Sequence, residues 1–106
     1  MQWIPLRVFK NIVGYKNIHI IINRSEIAVP KINETFDLVF IDGLHTYEAV
    51  KTDAVNSLRL LKQGGVIFFH DYSGGYPGVR KAVDELFTVI AGEFGMLAWT
   101  FKEMAR

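Results

Sequence analysis

Two apolar runs that stop abruptly in ionisable residues constrain this chain more than any other feature. The first, FDLVFIDGLHTYEAV, carries Phe36 to Ile41 into Asp42 and His45. The second, GGVIFFHDY, carries Val66 to Phe69 into His70 and Asp71. Continuous hydrophobic runs of this length are the pattern of strands in a buried parallel sheet. Ligands of open α/β sheets bind outside the carboxyl ends of the strands. Two such ends, each with a carboxylate and an imidazole, describe one small polar site.

The sequence between and around the runs alternates accordingly. Leu6, Val8, Phe9, Ile12 and Val13 mark a short helix from Pro5 to Val13, with Gly14 at its end. Ile18 to Ile22, β-branched apart from His19, reads as a strand. Ser25 is placed to cap a short helix running to about Ile32. After the strand Phe36 to Asp42, Thr46 offers an N-cap with Glu48 in the first turn. Tyr47, Val50, Ala54, Leu58 and Leu61 then make one apolar helical face, with Lys51, Asp53, Asn56 and Arg59 outside it. Gly64 and Gly65 end that helix before the strand Val66 to Phe69. A Gly-rich loop, Tyr72 to Gly78, leads to a helix whose apolar face is Val79, Ala82, Val83, Leu86, Phe87 and Ile90. Gly95 breaks it, and Met96 to Phe101 begins a final strand. The alternation predicts an α/β sheet with right-handed crossovers.

Composition narrows the functional classes. The chain has 106 residues, enough for one modest domain. Half of them are hydrophobic, which argues against disorder. A net charge of +1 makes no electrostatic case for nucleic acid or an anionic membrane as the main partner. There is no cysteine, so disulfides, thiolate zinc sites and a cysteine nucleophile are excluded. No apolar stretch approaches the roughly 18 residues of a membrane span, and no signal-peptide pattern opens the chain. A cytoplasmic setting is the expectation.

Asp42 and Asp71 are the leading candidates to carry chemistry, the alternative for each being a residue of a turn. An acid closing a buried strand is costly unless paired, hydrated or bound to a cation. Adjacent strands lie about 4.8 Å apart, which brings the two carboxylates within reach of each other. Their repulsion is relieved by a hard divalent cation such as Mg²⁺, which takes oxygen ligands. His45, at the start of a helix, suits a general base or a ligand. His70 precedes Asp71 directly, so strand alternation points the two side chains apart. Both reach one site only if the backbone leaves strand geometry between them. His19 reads as structural, Trp3 and Trp99 as packing residues, and Lys51, Arg59, Arg80 and Lys81 as solvated helix faces. The Ser73 to Gly78 loop lacks the lysine and the spacing of a P-loop.

FDLVFIDGLHTYEAVKTD, followed by LLKQGGVIFFHDYSGGYPGVRKAVDEL, resembles the second half of a class I S-adenosylmethionine-dependent methyltransferase. The likeness covers roughly residues 17–91. It is to the branch with an Asp-Gly-x-His-x-Tyr-Glu motif after one strand and a His-Asp pair after the next, as in macrocin O-methyltransferase-like proteins. The resemblance implies a mostly parallel, Rossmann-like sheet with the cofactor across its carboxyl edge. It implies Asp42, His70 and Asp71 as ligands of a divalent metal, His45 as the base, and Ser25, Asp42 and Gly43 on the cofactor side. A small molecule or sugar hydroxyl would accept the methyl group.

The chain departs from that pattern in three places. No Gly-x-Gly turn precedes residue 36. Arg24 stands where an acid near the adenine is usual. The chain ends where the last strands of the fold should begin. The expectation is therefore one incomplete domain over residues 1–106, lacking the first two strands. Those strands would lie between the strand at Ile18 and the strand at Phe36. Such a chain should bind S-adenosylmethionine poorly by itself, and should either re-pair its strands or leave an open edge through which copies associate. Two other classes fit the same residues: a metal-dependent hydrolase or hydroxylase-like protein, and a non-catalytic interaction module.

Overall fold

A computed structural model describes residues 11, 14, 15, 17–19, 21 and 23–106. The expected helix over 5–13 lies, Asn11 apart, outside the described residues. Of the expected strand at 18–22, Ile18, His19 and Ile21 are described and belong to no strand.

The described elements begin with a short helix α1 (Ser25–Ala28), which tightens into a 3₁₀ turn at Val29–Lys31. Pro30 lies in that turn, where its missing N–H costs little. Strand β1 (Phe36–Ile41) follows, then helix α2 (Tyr47–Leu60), strand β2 (Leu61–Phe69) and helix α3 (Pro77–Leu86). A hairpin, β3 (Gly92–Phe94) and β4 (Leu97–Phe101), closes the sheet.

The sheet order is β1-β2-β4-β3. β1 and β2 are parallel, with Val39 opposite Ile67 and Ile41 opposite Phe69. β4 runs antiparallel to both β2 and β3. The α/β class expected from the sequence is the class observed, with a mixed sheet. Its antiparallel half follows from a local cause: Gly95 adopts φ +59° and reverses the chain in a tight turn.

Ser25 does not cap α1 as the sequence suggests: Arg24 holds the cap position with no side-chain cap bond, and the Ser25 hydroxyl turns to Asp53 instead. The Thr46 side chain accepts a hydrogen bond from the Ala49 N–H at 3.2 Å and starts α2, as the sequence predicts. That helix stops at Leu60 rather than at Gly64. Leu61 instead turns into the core and pairs with Phe36, and the segment before Val66 bulges out of register. Gly64 at φ +77° permits the bulge. α3 likewise ends at Leu86, short of Ile90, because Phe87 leaves the helix to bridge Ala105.

The core lies between one face of the sheet and helices α2 and α3. Ile41, Ile67, Phe69 and Ala98 meet Val50, Ala54, Val79, Ala82 and Val83 there. β1 departs from the expected burial. Ile41 is buried, but Leu38 and Phe40 are 53% and 50% exposed, because alternation points them to the sheet face opposite α2 and α3. Among those residues no helix is long and apolar enough to cross a membrane.

Candidate active site

The parallel pairing of β1 and β2 sets their carboxyl ends side by side. The last bond across them runs from the His70 N–H to the Ile41 carbonyl at 3.1 Å. Asp42 and His70 therefore emerge next to each other, with Asp71 immediately after.

Strand alternation would have sent Asp71 away from His70. Asp71 instead has φ +62°, the one described non-glycine residue with positive φ. Aspartate tolerates this region better than most residues. The turn brings its side chain back to the same side. His70 Nδ1 lies 2.9 Å from Asp71 Oδ2 and 3.6 Å from Asp42 Oδ1. Across the gap, His45 Nε2 meets the same Asp71 Oδ2 at 2.6 Å. His45 is delivered by the loop between β1 and the cap of α2. One ligand atom each from Asp42, His45 and Asp71 lies within 4.8 Å of the others. The four residues singled out in the sequence thus form one cluster.

The electrostatics follow from this geometry. Asp71 is 7% exposed and sits between two imidazoles. Its contact with His70 is the largest influence holding its carboxyl below the ordinary range, with His45 adding to it against the opposing effect of burial. The Asp71 carboxylate in turn raises His70 above its usual value, with a smaller contribution from Asp42 and burial opposing. His70 Nδ1 is nevertheless buried without an aligned hydrogen bond. Without its proton, that nitrogen turns a lone pair toward two carboxylates, and Asp42, His45 and Asp71 already offer three ligand atoms close together, which is the donor chemistry of a cation site. The residues present fit a divalent metal.

Ser25, Asp42 and Gly43 share a second feature. All three line a groove of about 750 Å³ along β1, together with Leu38, Phe40 and Asp53. Ser25 Oγ donates to Asp53 Oδ1 at 2.6 Å. A Cβ on Gly43 would sit 3.2 Å from Asp53 Oδ2. Asp53, placed by the sequence outside the apolar face of α2, therefore touches both loops of the groove. Only the packing of α1 against α2 brings it there. Tyr76 was also outside the sequence-derived site, yet its ring stacks on His45 with centroids 3.9 Å apart and planes at 14°. An aromatic residue inside a Gly-rich loop was the available signal.

A sheet whose parallel strands present acidic and imidazole groups at adjacent carboxyl ends defines a Rossmann-like α/β protein with its site at that edge. Residues 7–72 match the methyltransferase domain family, and the chain belongs to that family. The matched span includes Asp42, His45, His70 and Asp71. No curated protein matches the chain by sequence. Among solved structures, it resembles the apo structure of CalS11, described as a TDP-rhamnose 3'-O-methyltransferase of calicheamicin biosynthesis. The TM-score is 0.57 at 17% identity, over 74% of this chain and 38% of that one. A second structure, of CalS11 as calicheamicin methyltransferase, gives 0.58 at 17% identity, over 74% and 35%. These likenesses establish the fold. The chain spans little more than a third of the length of those solved relatives.

Proposed function

We propose that this chain is the acceptor-activating part of an S-adenosylmethionine-dependent O-methyltransferase. The observation that carries the reading is the convergence of Asp42, His45, His70 and Asp71 at two adjacent strand ends. Family membership supplies the reaction class. The sugar-modifying description of the CalS11 structures favours a small-molecule or sugar hydroxyl as acceptor.

Asp42, Asp71 and His70 would hold a divalent metal such as Mg²⁺. When bound, the cation offsets the two carboxylates and lowers the pKa of an acceptor hydroxyl beside it. Ser25, Asp42 and Gly43 line the groove proposed for S-adenosylmethionine, which supplies an electrophilic methyl group. His45 is the general base. Its Nε2 is engaged by Asp71, which leaves Nδ1 to take the acceptor's proton. Transfer would form the bond from the acceptor oxygen to the methyl carbon and return the carbon–sulfur bonding pair to sulfur. The protein's contribution is alignment of oxygen, methyl and base.

The edge position of β1 among the described residues and the limited share of the solved relatives covered support a further element. These 106 residues act as one incomplete domain of a longer protein and bind the cofactor weakly alone. The open edge also offers a route for copies to associate. The lack of cysteine is compatible with a cytoplasmic setting.

The test is isothermal titration of the chain with Mn²⁺ and Mg²⁺, then with S-adenosylmethionine, beside Asp42→Ala and Asp71→Ala. The expected result is metal binding that either substitution abolishes, with weak cofactor binding. Folded protein that binds neither cation would refute the metal-assisted reading. Tight cofactor binding by the chain alone would refute the incomplete-domain reading.

A further inference from the structure

We infer that Tyr76 is a positioning residue for His45, and that the Gly-rich loop after β2 exists to deliver it. The inference rests on reading His45 as the base.

A single hydrogen bond fixes one atom of an imidazole but not the plane of its ring. Nε2 of His45 is held by Asp71 at 2.6 Å, and rotation about that contact would swing Nδ1 through a wide arc. Tyr76 removes this freedom. Its ring lies nearly parallel to the imidazole, at a centroid distance of 3.9 Å, and covers one face. A bond at one edge and a stack on one face together determine where Nδ1 points.

The loop is built to hold that stack. At its start, the Tyr72 N–H donates to the Met96 carbonyl at 2.9 Å. The Tyr72 hydroxyl donates to Asp84 Oδ1 at 2.5 Å, and Ser73 Oγ to Glu93 Oε1 at 2.9 Å. At its end, Gly78 is pressed onto the backbone that follows His45. A Cβ there would lie 2.8 Å from the Tyr47 nitrogen and 3.3 Å from the His45 carbonyl oxygen. Only glycine allows two backbones to approach so closely. The loop is thus clamped to the β3–β4 hairpin on one side and to the base-bearing loop on the other. Tyr76, two residues before the clamp, is 45% exposed and takes no part in the main core. Its ring is placed by the clamps, not by hydrophobic burial. Catalytic side chains gain from such fixing, because a loosely held base spends little time aligned.

The test is long-range ¹H–¹⁵N NMR of the imidazole rings in the full chain, with Tyr76→Phe and Tyr76→Leu. Stacking needs the ring and not the hydroxyl. The Phe variant should therefore keep one His45 tautomer, protonated on Nε2, and the upfield ring-current shift of its carbon-bound protons. The Leu variant should lose that shift and show averaged tautomers, while the amide signals of α2 and β2 stay in place. An unchanged His45 ring in the Leu variant would overturn the inference, as would a disordered one in the Phe variant. Should Tyr76→Leu unfold the chain, Tyr76→Met serves as the ringless variant, and an unchanged His45 ring in it would overturn the inference. The readout concerns ring geometry alone. Failure of His45 as a base would appear separately, as methyl transfer by the longer protein that survives His45→Gln.

Discussion

Replacing Asp71 should separate the charge of this residue from its backbone geometry. Asn keeps the size and the tolerance of φ +62°, and loses only the charge. Its amide oxygen can still accept from His45, so a charge-assisted bond worth about 1.5–3 kcal/mol becomes a neutral one worth about 0.5–1.5. The contact with His70, the larger influence on Asp71, loses its charge in the same way, for a total loss of about 2 kcal/mol. Ala loses both contacts entirely and adds about 1–2 kcal/mol for a left-handed residue with an ordinary Cβ. The Ala variant should therefore be about 4–6 kcal/mol less stable than the parent. Urea unfolding at neutral pH, followed by tryptophan fluorescence, gives both values. The reasoning fails if the Asn and Ala variants fall within about 0.5 kcal/mol of each other, a gap at the limit of such measurements. The effect should also depend on pH. Asp71 is depressed, so its contribution is present above the ordinary carboxylate value of 3.8 and lost as pH falls through its folded value. His70 is raised, so its share is present below 6.5 and lost as pH rises through its folded value. The two shifts describe one contact. The cost of the Asn substitution should be largest between those limits and shrink on either side.

Gly78→Ala forces the Gly-rich loop away from Tyr47 and His45. It should cost about 1–3 kcal/mol in urea unfolding and loosen the His45 ring as well. Thr46→Ala removes the cap of α2 and should cost about 1 kcal/mol, with no change in the His45 ring signals. Mn²⁺ should bind more weakly in mildly acid buffer than in mildly alkaline buffer, because the proton held by His70 must leave before its nitrogen can ligate. Titrations that show no such dependence would remove His70 from the ligand set.

Much of the site was legible in the sequence. Asp42, His45, His70 and Asp71 announce themselves because ionisable residues at the ends of apolar runs have few places to go but a shared strand edge. Thr46 was legible as a cap for a local reason: its oxygen serves an N–H three residues on. Other features depended on contacts between distant segments. The bend at Asp71 that reunites it with His70 is a backbone torsion. Alternation gives no hint of which residue will break the pattern. The exposure of Leu38 and Phe40 depends on what covers the sheet face opposite α2 and α3, which the run FDLVFI cannot encode. Leu61 fits a helical face by spacing, yet its pairing with Phe36 draws it into a strand. Asp53 and Tyr76 acquired their places only when α1 met α2 and when Gly78 met the backbone after His45. Periodicity and end chemistry are properties of a local stretch, and the sequence by itself determined them. The contact of His45 with Asp71, the convergence of Asp42 with both, and the shape of the groove arise from segments 26 or more residues apart, and only the tertiary structure decided them.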